Sequence, residues 1–225
     1  ENLPEEPTNI FFYNHLASIQ ENTLANGHSF SIDSHFISAK ILFPKYGDGG
    51  QRIARYSRNT EFWRYNYYEN LDYIFVHTPE SDKLEESDVE KKKRKKKLFV
   101  ETQDIFNQNR PLVIAPEGTS ETEDNITENS PGPFKPGAFL LANQLEQKPL
   151  LIPIALANFD HSISNTVYSA VIKKPIKIND YVKDIKNKKE LEKFLIDYRI
   201  KFRSYVEEAI ELAKNIYNDN KELNN

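Results

Sequence analysis

The chain has 225 residues, with 30 Lys and Arg against 34 Asp and Glu and a formal net charge of −4. That length suits a single domain with one substantial core over residues 1–225, and the negative balance argues against general nucleic-acid binding. With no cysteine, a disulfide framework and a thiolate metal site are both excluded, and no apolar run approaches the ~20 residues of a membrane span. There is no methionine either, so the sequence is expected to be a segment of a longer translated chain.

Taken in order, residues 1–8 carry Pro4 and Pro7 and read as an entry loop. Ile10-Phe-Phe-Tyr13 is a short apolar run, expected as the first buried strand, and it ends on Asn14-His15. A polar loop or irregular helix follows over 16–27. Ile32, His35, Phe36, Ala39 and Phe43 then recur at helical spacing, with Ser31 or Asp33 as N-cap, and Pro44 with Gly47, Gly49 and Gly50 closes that helix. Residues 51–56 predict a short strand, 60–70 an aromatic-rich helix, and 71–76 a further strand ending at His77. A charged insertion occupies about 79–97, acidic first and then Lys91-Lys-Lys-Arg-Lys-Lys-Lys97, before a helix marked by Leu98, Val100, Ile105 and Phe106.

Leu112-Val-Ile-Ala115 suits a buried strand, and Pro116 stops it because proline has no N–H to give. Glu117 thus stands at the carboxyl end of a strand, where open α/β sheets place their ligand sites, and Gly118 permits a sharp turn or close approach of a ligand. After a polar loop, Phe134-Lys-Pro-Gly-Ala-Phe139 opens a helix, 150–156 is another buried strand, and 167–178 reads as edge strands around Pro175. A long amphipathic helix closes the chain over about 190–217, with Leu191, Phe194, Leu195, Tyr198, Phe202, Val206 and Ala209 on its buried stripe. Alternating strands and helices imply βαβ units: an α/β fold with a mixed, mostly parallel central sheet flanked by helices.

Among residues that could do chemistry, His28 and Asp33 stand where a loop enters a helix. An Asp bonded to one imidazole nitrogen fixes the tautomer and stabilises the imidazolium, leaving the other nitrogen to take a proton. Asp33 as a plain helix cap is the alternative. A metal trio of His28, Asp33 and His35 is a weaker one, and the expectation is no metal.

His28-Ser-Phe-Ser-Ile-Asp33 resembles the H-x4-D motif of the glycerolipid acyltransferases, the family of bacterial lysophosphatidic acid and glycerol-phosphate acyltransferases. Pro116-Glu-Gly-Thr119 is similar to that family's second hallmark, Phe134-Lys-Pro-Gly-Ala138 to the segment that follows it, and Leu151-Ile-Pro-Ile-Ala155 to its last block. The blocks keep the family's order over about 1–160. The resemblance implies a glycerol-3-phosphate acyltransferase-like fold and O-acyl transfer from acyl-CoA or an acyl carrier protein thioester, with no tightly bound cofactor. In the family the Asn-His pair follows the first strand directly, a place held here by Asn14-His15. Either an insertion separates strand and motif, leaving His28 as the base, or His15 is the base and pairs with a more distant Asp33; the intact spacing favours His28.

The resemblance also implies that Glu117, Gly118, Thr119 and Lys135 contact the acceptor, Glu117 through a hydroxyl. Backbone N–H groups near Gly118 or the motif helix would face the oxyanion. Where the family carries phosphate-binding arginines, this chain has His77 and Ser120, with Arg52, Arg55 and Arg58 as unassigned helpers. The implied acceptor is a lysophospholipid or glycerol phosphate, in phospholipid biosynthesis. The implied setting is the cytoplasmic face of a membrane, with a membrane-associating segment ahead of residue 1 and the lysines of 91–97 as a candidate contact with anionic lipid. An amino-acid or sugar lipid acceptor is the rival within the enzyme class. A catalytically silent lipid- or partner-binding domain is the rival outside it.

Overall fold

The computed structural model describes residues 2–16, 25, 32–55, 62–76, 87–118, 130–164 and 166–223. Its frame is a six-stranded sheet in the order β3-β2-β4-β1-β5-β6, built from β1 (Ile10–Tyr13), β2 (Gln51–Arg55), β3 (Ile74–Val76), β4 (Leu112–Ile114), β5 (Leu151–Ala157) and β6 (Ser169–Ile172). β1 pairs in parallel with both β4 and β5, and β2 with both β3 and β4; only β6 runs antiparallel, on the edge beside β5. The mixed, mostly parallel sheet expected from the sequence is the one observed.

β1 lies inside the sheet, and its alternation splits the core in two. Ile10 and Phe12 point to one face, Phe11 and Tyr13 to the other. Phe12 is fully buried and meets the rings of Phe134, Phe139, Tyr198 and Phe202. Those partners come from α5 (Gly137–Gln144), the segment before it, and α6 (Lys188–Leu223), so one aromatic side chain ties the sheet to two helices. The opposite face is covered by α1 (Ile32–Phe36), a π-helical stretch (Ile37–Leu42) and α2 (Phe43–Tyr46), which bring Ile37, Ile41 and Leu42 against Phe11, Val113 and Ile152. All of β5 is buried, as befits a strand covered on both faces.

Two expectations about helices change. The helix over 32–43 is not uniform: its middle widens into π geometry, and Pro44 lies inside its last turn, which ends at Gly47 in the left-handed region (φ 71°). The second change concerns α4 (Asp88–Asn107), expected to begin near Leu98. It begins ten residues earlier and runs straight through the lysines. Its start is set by a capping box: Ser87 Oγ accepts from the Glu90 N–H, and the Glu90 carboxylate accepts from the Ser87 N–H. Lys and Arg are good helix formers, so nothing in the run breaks the helix once it is capped. A further helix, α3, spans Phe62–Asn70.

Candidate active site

The parallel strands β1, β4 and β5 all end at the same edge of the sheet, and the polar residues gather there. Asn14, fully buried just past β1, acts as an extra rung between strands. Its amide donates to the Leu156 carbonyl at 3.0 Å and accepts from the Leu156 N–H at 2.8 Å, and it also donates to Ser130 Oγ at 2.8 Å. This rung fixes the direction in which the chain leaves the sheet, and the next residue is His15.

His15 Nδ1 lies 2.6 Å from Asp33 Oδ2, on α1. Asp33 is 1% exposed and also accepts from the N–H groups of Leu16 (3.1 Å) and Ser34 (2.5 Å), which hold its carboxylate in place. The His15 side chain is 22% exposed, open enough to meet a ligand. Asp33, the carboxylate singled out in the sequence, is therefore brought to His15 across 18 residues. His28 lies outside the described residues.

Behind this pair sits Glu117, 2% exposed. One carboxylate oxygen accepts from the His15 N–H and the other from the Gly132 N–H, both at 2.7 Å. Burial pushes its pKa up to about 7, with the two backbone donors and the His15 charge pulling the other way. The segment carrying Gly132 is itself pinned: Ser130 by Asn14, and Pro131 by Arg199 of α6, whose Nε donates to its carbonyl at 2.8 Å. So the ends of β1 and β4, the 130–132 segment and the C-terminal helix converge on one carboxylate.

Gly118 follows with φ 74°, a conformation that favours glycine. A Cβ there would lie 3.1 Å from Lys135 Cδ and 3.2 Å from Nζ, so the lysine chain lies along this glycine. Lys135 is exposed, and its own N–H is tied to the Pro116 carbonyl at 2.8 Å. The Gly118 N–H, an expected oxyanion donor, is instead engaged in the turn, donating to the Ala115 carbonyl at 3.1 Å. Thr119, Ser120, Arg58 and His77 lie outside the described residues.

Arg52, left without a role by the sequence, has a structural one. It is 8% exposed and donates to the Ser34 carbonyl (2.9 Å), Ser38 Oγ (2.5 Å) and the Tyr73 hydroxyl, with its guanidinium over the Tyr73 ring. Those bonds hold α1 and the π-helical stretch, and hence Asp33, against β2. Tyr13, whose ring meets that of His15 edge-on, is kept neutral: burial first and then the Asp33 charge raise its pKa well above the ordinary value. Among the described residues no group of three His, Asp or Glu is placed to hold a metal ion.

An imidazole backed by a buried, hydrogen-bonded carboxylate can take a proton from a hydroxyl bound in front of it. The family model described as Acyltransferase matches residues 26–157, more than half of the chain. The matched stretch takes in His28, Asp33, Glu117, Lys135 and β5, and it begins after β1 and His15. No curated protein matches the chain significantly.

Proposed function

This chain belongs to the Acyltransferase family, and on that premise we propose that it esterifies a lysophospholipid or glycerol-phosphate hydroxyl from an acyl thioester. The observation that carries this reading is the 2.6 Å contact of His15 Nδ1 with Asp33 at the carboxyl edge of the sheet. With Nδ1 turned to the carboxylate, Nε2 is the nitrogen that works on substrate. It takes the proton from the acceptor hydroxyl as that oxygen attacks the thioester carbonyl. The tetrahedral intermediate collapses by breaking the C–S bond, and the imidazolium returns the proton to the departing sulfur. Asp33 stabilises the imidazolium between these steps. The chain has no cysteine to carry the acyl group, so direct transfer between bound donor and acceptor is the simplest route.

Glu117 serves this pair through the backbone. Each of its oxygens accepts one backbone N–H group, which holds His15 in place, and the exposed Lys135 beside Gly118 is the further candidate for the acceptor contact. Arg52 is committed to α1 and does not reach for a phosphate.

A second reading keeps His28 as the base. The start of the family match at residue 26, which includes His28 and excludes His15, favours it.

The proposal is tested by following thiol release from acyl-CoA with lysophosphatidic acid and with glycerol-3-phosphate as acceptors. Acceptor-dependent release with product ester supports it. No release with either, nor with acyl carrier protein thioesters, contradicts it.

A further inference from the structure

We infer that the basic half of α4 is a docking surface for an anionic lipid bilayer; this rests on the proposed lipid acceptor. At 20 residues the helix is about 30 Å long, whereas the strands beside it span only three residues each. Its second half packs on the core through Thr102, Gln103, Ile105 and Phe106. The first half has no such support: from Asp88 to Lys97 every residue is exposed except the half-buried Arg94.

Topology says where this projection points. α4 leaves from the carboxyl end of β3 and returns to the start of β4, and both strands belong to the parallel set. Its first half therefore stands at the carboxyl edge of the sheet, the edge where His15, Asp33 and Glu117 gather.

The chemistry of the projection selects the partner. Lys91 contacts Asp88 at 3.7 Å and Lys97 contacts Glu101 at 3.5 Å. Among the described residues Lys92, Lys93, Lys95 and Lys96 have no ion-pair partner. At helical spacing Val89, Lys93, Lys96 and Val100 share one stripe, opposite the buried Thr102 and Ile105. Val89 is 76% exposed and Val100 45%. A cationic stripe ended by two exposed valines matches a surface of anionic headgroups over acyl chains. A nucleic acid offers the valines nothing, and the net charge of −4 opposes it away from this helix.

The test is co-sedimentation of the whole chain with vesicles of phosphatidylcholine alone and of phosphatidylcholine mixed with phosphatidylserine. The wild type should partition at least tenfold more to the mixed vesicles, and salt should erase the difference. Lys92→Gln, Lys93→Gln, Lys95→Gln and Lys96→Gln together should remove it without changing helicity or Tm. Val89→Ser with Val100→Ser should weaken binding severalfold. Equal binding to both vesicles, or unchanged binding by the four-lysine variant, overturns the inference. So does capture of an acidic acyl carrier protein by these lysines with no response to phosphatidylserine. Vesicle binding is read without acyl substrates, so it can succeed where the proposed reaction fails. If the reaction holds, the four-lysine variant should keep the wild-type rate on a water-soluble acceptor.

Discussion

Glu117 combines deep burial with a backbone hydrogen bond on each carboxylate oxygen, and its behaviour follows from which of these wins. Removing a carboxylate from water disfavours its charge, while two backbone N–H donors and the neighbouring imidazole favour it. Burial wins, and the pKa rises from 4.5 to about 7. The folded state then holds this proton more tightly than the unfolded chain. The resulting stability is fully present below pH 4.5 and is lost as pH rises through about 7. A shift of that size corresponds to about 3 kcal/mol. Glu117→Gln removes the charge but sets an amide NH2 against one of the two backbone N–H groups, which costs about 1–3 kcal/mol at any pH. Urea unfolding of both proteins at pH 4 and pH 8 should show the variant gaining on the wild type by about 3 kcal/mol at the higher pH. A constant difference would mean that folding leaves the Glu117 pKa where it is in the unfolded chain.

At the scale of elements, α6 does two jobs. Its apolar stripe covers β1 and β5 through Phe194, Tyr198, Phe202 and Val206, and its Arg199 holds Pro131, next to the residue that donates to Glu117. Phe202 is fully buried and packs on Phe12, Phe134 and Tyr205. Phe202→Ala should cost about 3–5 kcal/mol, because the cavity opens among rigid aromatic rings that close poorly around it. Denaturant unfolding with an unchanged m-value checks the stability term. Because the helix also braces the site, acyl transfer should fall well below the transition, which would not happen if α6 were only a cover. The helix was readable from the sequence because its apolar stripe keeps a 3.6-residue period over many turns. The start of α4 was not: Lys91 to Lys97 has no apolar face, and only the Ser87–Glu90 capping box marks where the helix begins.

Across the whole molecule, the sheet brings together what the chain holds far apart. β1, β4 and β5 are each a short buried run ended by a polar or turn residue, and they lie side by side in parallel. The strands and the mostly parallel sheet were legible, whereas the strand order was not read from the sequence; Asp33 and Glu117 were singled out there, and the structure places both at the carboxyl edge of the sheet. For the partner of Asp33 the sequence left His28 and His15 open; the structure shows the contact with His15, and His28 lies outside the described residues. A residue pattern such as H-x4-D reports sequence spacing, whereas the contact with His15 is made across 18 residues, by a chain that leaves β1 and returns in α1. The first strand and its Asn14-His15 end were visible, but the course of the intervening chain is not written in any local periodicity. Arg52 escaped for a similar reason: nothing in Gln51-Arg-Ile-Ala-Arg55 says that its guanidinium turns back onto Ser34 and Ser38.

The proposed role of His15 as the imidazole that works with Asp33 is measured directly by steady-state acyl transfer by His15→Ala, Asp33→Asn and His28→Ala. The first two variants should lose on the order of 10²–10⁴-fold in kcat while still unfolding cooperatively, and His28→Ala should keep its rate within a fewfold. Wild-type turnover by His15→Ala, with the loss appearing in His28→Ala, would contradict it.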